Sequence, residues 1–256
     1  MCLISFAYNA HPDYPLLVAA NRDEYYRRPT APATFWEDAP QLLAGKDLQA
    51  GGTWMGVTRS GRFAAITNHR NPPTTPAQPR SRGMLTTDFL LGSMSAADYM
   101  ADLTGTGGSY AGFNLLLADS RELHYFSNVE GAAQCLDAGV YGLSNGSLHS
   151  GWPKQELARE RLAALLGKSI DHEALHATVS SRDVVPDEDL PDTGIGREME
   201  RLLSPQLILT EEYGTRATTS LWISSAGEVE LCEQSLRADG TSDGLVRLGF
   251  SLDGRE

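Results

Sequence analysis

The chain has 256 residues, a formal net charge of −12 and three cysteines. With no Pro/Ser-rich linker between apolar halves, it is predicted to form a single domain over residues 1–256. The acidic excess disfavours nucleic acid and an anionic membrane surface as main partners. An odd cysteine count gives no disulfide framework and suits a reducing compartment, which predicts a cytoplasmic protein. Neither a membrane span of roughly 20 apolar residues nor a signal peptide is expected from this sequence.

The first two dozen residues are predicted to form a β-hairpin. Two apolar runs, at 2–8 and 16–20, flank a turn around His11-Pro12-Asp13. Such runs with a Pro/Asp-rich connection are typical of paired strands. In an antiparallel pair, the polar end of the second run, Asn21-Arg22-Asp23, lies beside Cys2.

Cys2 at this position suggests an N-terminal nucleophile. Removal of Met1 before a small residue leaves a cysteine with a free α-amine, whose pKa is about 7.7–8.0. That amine is able to take the thiol proton, Arg22 favours the thiolate, and Asp23 is placed to orient the ammonium. The alternative is that Cys2 is an ordinary small apolar residue at the start of a strand.

The next segments suggest a covering loop followed by a second hairpin. Residues 25–50 are predicted to be irregular, either a lid beside the site or a plain surface loop. Strands at 54–57 and 62–67 then follow Gly51-Gly52-Thr53, of which Gly52 and Thr53 are candidates for binding substrate. The N–H groups of Gly51 and Gly52 are able to face a ligand, and a tight turn is the alternative. His69, after the second strand, is a candidate for the same site. A metal site is not expected at His69, because no second histidine or cysteine stands at ligand spacing.

The rest of the chain alternates hairpins with helices, which predicts an α+β layered fold. Residues 72–83 are expected to form a mobile surface loop. The expected helices lie near 84–91, 96–103, 152–167, 171–179 and 195–203. The expected strands lie at 113–118 and 122–127 as a third hairpin, Cys135 with 140–143 as a fourth, and 207–209, 215–224, 228–232 and the edge strand 245–252.

Polar side chains stand at the ends of four predicted strands, with Arg216 at the mouth of the strand at 215–224. They are Asn21-Arg22-Asp23 beside Cys2, Asn68, Asn145 and Arg216. Thiol attack on an amide carbonyl creates an oxyanion that needs fixed donors, and asparagine side chains are suitable ones. Turn or capping roles for the asparagines, and a surface ion pair for Arg216, are the alternatives.

The motifs resemble those of the NRDE family. The resemblance lies in Met1-Cys2-Leu3-Ile4 and Asn21-Arg22-Asp23-Glu24, and continues through 51–54, 67–70 and 214–216. That family includes the transport and Golgi organisation protein 2 proteins of eukaryotes. It is related to the cysteine N-terminal nucleophile (Ntn) hydrolases, such as choloylglycine hydrolases and penicillin V acylase. The resemblance implies a four-layer αββα sandwich, with two stacked antiparallel sheets between helical layers.

The resemblance also suggests roles for single residues. Asn145 is the first choice and Asn68 the second for holding the oxyanion, Asp23 resembles the aspartate near the nucleophile's amine, and Arg216 resembles a late site arginine. The sequence departs from the related hydrolases at Ala20, where they carry an arginine.

The expected activity is hydrolysis of a linear amide by Cys2, without a cofactor. The expected substrate is a small molecule with an apolar part. Its binding site is expected to be lined by Asn21, Gly52, Thr53 and His69. The alternative is a non-catalytic carrier or chaperone of a hydrophobic small molecule such as haem or an acyl lipid, and a scaffold without ligand is a third possibility.

Overall fold

The computed structural model describes residues 2–70 and 75–254. Within these ranges the chain forms thirteen strands and five α-helices. The helices are α1 (Gly83–Leu91), α2 (Ala96–Thr106), α3 (Pro153–Leu165), α4 (His172–Ala177) and α5 (Arg197–Leu202). The strands are β1 (Cys2–Tyr8), β2 (Leu16–Tyr25), β3 (Thr30–Trp36), β4 (Ala39–Asp47), β5 (Met55–Thr58), β6 (Phe63–Asn68), β7 (Phe113–Ala118), β8 (Leu123–Ser127), β9 (Ala133–Cys135), β10 (Gly139–Leu143), β11 (Tyr213–Ile223), β12 (Glu228–Leu236) and β13 (Ser242–Ser251).

The chain groups into two compact units. Unit 1 comprises Met1–Arg27 and Ala138–Gly249, and unit 2 comprises Arg28–Asp137 and Phe250–Glu256. That residues 1–256 act as one domain stays a prediction. No helix in the described part of the chain is long and apolar enough to cross a membrane.

Unit 1 is built on an antiparallel sheet of strand order β10-β1-β2-β11-β12-β13. Successive strand residues point to opposite faces. One face packs on α3 and α4, and the Ser5 hydroxyl on that face donates to the Ala158 carbonyl of α3 at 3.1 Å. Each fully buried leucine there stabilises the unit by about 1.5–3 kcal/mol. The apolar residues joining sheet and helices include Leu3, Ala7, Leu17, Ala19, Ala158, Leu162, Leu175 and Trp222.

Unit 2 is built on an antiparallel sheet of strand order β3-β4-β5-β6-β7-β8-β9. Helices α1 and α2 bury Leu85, Phe89 and Met100 in the core of this unit. The first turn of α1 lies so close to Gly52 that a side chain at that position would collide with the Gly83 carbonyl group. A glycine is therefore required where the chain passes the start of α1.

The prediction of an irregular segment at residues 25–50 is wrong, because β3 and β4 form a hairpin there. The prolines in this segment are typical of a loop, but they are also compatible with an edge strand. Proline is tolerated on edge strands, where a ladder N–H is not needed. β3 is an edge strand and Pro32 within it is exposed.

The predicted fourth hairpin is also wrong. β9 pairs with β8 in unit 2, whereas β10 pairs with β1 in unit 1, so Cys135 and the strand after it belong to different sheets. Residues 207–209 form no strand in the described structure, and Leu209 makes only an isolated bridge to Gly214. Asn71–Thr74, at the start of the expected mobile loop, lie outside the described residues.

The first three hairpins and all five predicted helices are confirmed within a few residues, and β13 is confirmed as an edge strand. The prediction of an α+β fold with two large antiparallel sheets is therefore confirmed.

Candidate active site

The candidate nucleophile lies in one row of residues across the unit 1 sheet. Cys2 pairs with Arg22 as predicted, and Arg22 pairs with Ala217 on the next strand. On the other side, β1 and β10 pair Ile4 with Leu143, where β10 ends, and Asn145 follows two residues later. The Ser144 hydroxyl donates to the Cys2 carbonyl at 3.5 Å, so the chains stay adjacent there.

Strand spacing gives the scale of this row. Neighbouring strands lie about 4.8 Å apart, so Arg22 lies at roughly that spacing from Cys2. Leu3 and Ser5 lie on the face covered by α3 and α4. Cys2 and Arg22 therefore lie on the opposite face, because side chains alternate along a strand.

The surroundings of the Cys2 sulfur act on its pKa in both directions. Burial raises the pKa of this thiol above its ordinary value, and the carboxylate of Asp23 raises it further. The charge of Arg22 and a hydrogen bond from the Asp23 backbone N–H lower the same pKa without reversing the net effect. The thiol is therefore protonated near neutral pH while residue 1 is attached.

The Asp23 carboxylate is held by the strand next to it. The Thr215 hydroxyl donates to Asp23 Oδ1 at 2.7 Å and accepts a hydrogen bond from the Ile208 N–H at 2.9 Å. The Tyr213 hydroxyl donates to the Asp23 carbonyl oxygen at 3.1 Å. Asp23 itself is only 1% exposed. Its carboxylate is therefore fixed before any substrate arrives.

Arg216 stands at a β-bulge, not at the mouth of its strand. The register of β11 against β2 shifts between Thr215 and Ala217, which leaves Arg216 as the extra residue. Bulges re-aim a side chain. The half-buried Arg216 guanidinium donates to the Tyr25 carbonyl at 3.0 Å.

Tyr26 belongs to the same neighbourhood, although the sequence did not point to it. Its hydroxyl is buried against the backbone of Gly214, where any side chain would collide with it. Burial raises the pKa of Tyr26, and the charges of Arg216 and Asp23 act on it in opposite directions. In the sequence, the Gly214-Thr215-Arg216 motif is the feature that points to Thr215 and to the close approach of Tyr26. The prediction above used only its arginine.

The Asn21 side chain makes hydrogen bonds within unit 1. Its amide nitrogen donates to the Val179 carbonyl at 2.7 Å and to the Gln206 carbonyl at 2.8 Å. Its amide oxygen accepts from the Thr218 hydroxyl at 2.8 Å. These bonds join two loop segments to the sheet, so a structural role accounts for Asn21.

The remaining candidates belong to unit 2. Gly52 and Thr53 hold α1, and the Thr86 hydroxyl of that helix donates to the Thr53 carbonyl at 2.5 Å. Asn68 is half-buried at the end of β6 and pairs with Phe113. The His69 N–H donates to the Gly112 carbonyl at 2.9 Å, and burial lowers the pKa of its imidazole.

The structure thus assembles Cys2, Arg22, Asp23 and Asn145 at one end of the unit 1 sheet, with Arg216 on the adjoining bulge. The roles expected of Asn68, His69, Gly52 and Thr53 stay predictions.

Comparison with known proteins identifies the family. The family model described as Transport and Golgi organisation 2 matches residues 1–238. The chain belongs to this family. It is 32% identical to the Transport and Golgi organization 2 homolog of Mus musculus over 94% of this chain and 95% of that protein. It is 34% identical to the Bos taurus homolog over 92% and 93%.

A solved structure supports the fold. A conjugated bile acid hydrolase from Clostridium perfringens, solved as a mutant, superposes with a TM-score of 0.50. The match covers 100% of this chain and 95% of that chain at 10% sequence identity. This likeness shows that the family member described here has an Ntn-hydrolase-type fold, as the sequence predicted.

Proposed function

We propose that this protein is an amidohydrolase in which Cys2, freed by removal of Met1, attacks a linear amide bond. The observation that carries the proposal is the pairing of Cys2 with Arg22, with the Asp23 carboxylate near enough to act on the Cys2 thiol. Asn145 follows Ser144, whose hydroxyl donates to the Cys2 carbonyl. A nucleophile, a donor for the oxyanion, a cation and an orienting carboxylate are the groups that such a reaction needs.

Acylation begins with proton transfer. Removing Met1 converts the amide nitrogen of Cys2 into a free α-amine with a pKa near neutrality. This amine takes the thiol proton, and the thiolate attacks the carbonyl carbon of the substrate. Arg22 favours the thiolate, while the fixed Asp23 carboxylate favours the ammonium that results.

The tetrahedral intermediate places a negative charge on the former carbonyl oxygen. The Asn145 side-chain N–H group is our candidate for holding that oxyanion, since losing one such donor typically costs about 3–4 kcal/mol of transition-state stabilisation. When the intermediate collapses, the C–N bond breaks and the Cys2 ammonium gives its proton to the leaving amine. A thioester on Cys2 remains.

Hydrolysis of the thioester reverses these roles. The α-amine of Cys2 takes a proton from water, and the resulting hydroxide attacks the thioester carbonyl. The C–S bond then breaks, the acid leaves, and the thiol regains its proton. The structural relative named above is called a conjugated bile acid hydrolase. Amides that join an apolar acid to a small amine are therefore the first substrates to test.

One observation favours a second candidate, a carrier of a hydrophobic small molecule. Burial raises the pKa of the Cys2 thiol while residue 1 is attached, so the unprocessed chain holds a poor nucleophile. A protein that keeps Met1 would then bind ligands such as haem or acyl lipids without turning them over.

Turnover by matched variants tests the hydrolase proposal. We would incubate wild type, Cys2→Ala, Cys2→Ser and Asn145→Ala with N-acyl amino acids and conjugated bile salts, and measure free acid. The proposal expects no turnover in Cys2→Ala, and a kcat lower by about 100-fold or more in Asn145→Ala. Cys232→Ser is the control, because this thiol lies on β12, has no role in the proposed chemistry and should leave turnover unchanged.

Equal turnover by wild type and Cys2→Ala would contradict the proposal. Saturable haem or acyl-lipid binding by both proteins, with no acid released from any substrate, would favour the carrier.

A further inference from the structure

A cluster of metal-ligand side chains lies at the edge of the unit 2 sheet, where β8 and β9 pair. His124 of β8 stands directly opposite Cys135 of β9. Glu122 precedes His124 by two residues and so shares its face of the ladder. One ligand atom each from Glu122, His124 and Cys135 lie within 4.8 Å of one another.

The ladder continues past the last strand pair. The Leu136 N–H donates to the Leu123 carbonyl at 2.8 Å, so the two chains stay in register beyond Cys135. Asp137 follows Leu136, and its carboxylate is near enough to act electrostatically on the Cys135 sulfur. Asp137 is therefore a candidate fourth ligand beside the cluster of three.

We propose that Glu122, His124 and Cys135 bind a zinc ion, with Asp137 or a water molecule as the fourth ligand. Thiolate, imidazole and carboxylate are the three side-chain ligand types that Zn²⁺ takes in proteins. The mixture of one soft sulfur with nitrogen and oxygen disfavours Mg²⁺ and Ca²⁺, which prefer oxygen ligands only.

The spacing of the ligand atoms suits a tetrahedral ion. Zinc bonds of about 2.0–2.3 Å put the ligand atoms of a tetrahedral site roughly 3.5 Å apart. His124 Nε2 and Glu122 Oε2 already lie 2.8 Å apart. The other atom pairs are no more than 4.8 Å apart. Rotation of the exposed Glu122 and Cys135 side chains would bring these atoms from up to 4.8 Å to the roughly 3.5 Å of a tetrahedral site.

The local charges favour a cation. The carboxylates of Glu122 and Asp137 lie near the Cys135 sulfur, and their negative charges repel a thiolate there. A bound divalent ion offsets this repulsion and deprotonates the thiol, whose proton passes to solvent. The imidazole of His124 exchanges its contact with Glu122 for the metal. Binding should therefore weaken as the pH falls.

The position suggests a structural role for the ion. β9 is a three-residue strand at the edge of the sheet, and its residues are largely exposed. A metal shared by β8 and β9 would fasten this short edge strand to its neighbour. The site lies in unit 2 and uses none of the residues assigned to the amidohydrolase chemistry, so its test is independent of that proposal.

Cobalt is a suitable probe, because Co²⁺ occupies zinc sites and its absorption reports thiolate and tetrahedral ligation. We would titrate the full chain with CoCl₂, follow the spectrum, and then displace the cobalt with ZnCl₂. The expected result is one equivalent of Co²⁺ with a sulfur charge-transfer band, and loss of that band on addition of zinc.

Variants identify the ligands. Cys135→Ser should remove the charge-transfer band, and His124→Ala should weaken zinc binding by about 10-fold or more, since even outer-shell changes cost 10–100-fold. Cys232→Ser is the matched control, because Cys232 lies in unit 1. The proposal is wrong if no sulfur band forms, or if Cys2→Ser or Cys232→Ser removes the band while Cys135→Ser keeps it.

Discussion

The contact between Thr215 and Asp23 offers a direct test of how the site is held together. Thr215→Val keeps the size of the side chain and removes its hydroxyl. That hydroxyl donates to Asp23 Oδ1 at 2.7 Å and accepts from the Ile208 N–H at 2.9 Å. Both bonds are buried, and a buried polar group left without its partner costs about 1–3 kcal/mol. The variant should therefore lose roughly 2–5 kcal/mol of unfolding free energy.

Urea unfolding measures this loss. With a slope of about 1–3 kcal/mol per molar urea, the midpoint should fall by about 1 M or more. Thr215→Ser keeps the hydroxyl and should lose about 1 kcal/mol, close to the value of the missing methyl group. Thr219→Val is the matched control on the same strand, because its hydroxyl makes a longer bond of 3.4 Å to Glu233. If Thr215→Val costs no more than Thr219→Val, the hydroxyl does not hold Asp23 in the way described.

Three further predictions concern the same unit. Gly214→Ala should destabilise the protein by about 1–3 kcal/mol or more in urea unfolding, because the new methyl group meets the Tyr26 hydroxyl and lies 2.5 Å from the Ile208 carbonyl oxygen. Tyr26→Phe should change the unfolding free energy by less than about 1 kcal/mol. The Thr210 backbone N–H lies near enough to the buried hydroxyl to lower its pKa, but no hydrogen bond of good geometry joins it to the described residues. Burial lowers the pKa of His172 and His176, so the stability they contribute is present above about pH 6.5 and lost as the pH falls through their folded values. Thermal unfolding between about pH 8 and about pH 5 should show a smaller loss in His176→Gln than in wild type.

The parts of the fold that were predictable are those set by local pattern. The β1–β2 hairpin follows from two apolar runs around a turn, and its register of Cys2 with Arg22 follows from the hairpin. The β3–β4 hairpin was missed because its prolines resemble those of a loop, although Pro32 lies on an edge strand. The direction in which the chain leaves Cys135 was missed because only long-range pairing decides which sheet takes the next strand.

The site shows the same division. Asn145 was assigned to the site by analogy, and its role stays a prediction; β10, which pairs with β1, ends two residues before it. Thr215 and Tyr26 have no signature of their own, since their contacts with Asp23 and Gly214 arise only when β11 pairs with β2.

The candidate zinc ligands escaped notice for the same reason. In the sequence Glu122 and His124 are two residues apart, but Cys135 follows His124 by eleven residues. His124 and Cys135 come together only because β9 pairs with β8 in this register.

The central claim is that Cys2 becomes the N-terminal residue and carries the acyl group. The most direct measurement is mass spectrometry of the N-terminal peptide after an acid quench during turnover. The account predicts a peptide that begins at Cys2 and bears the acyl group of the substrate as a thioester. A peptide that retains Met1, and that carries no acyl group on Cys2 with any substrate tested, would contradict the account.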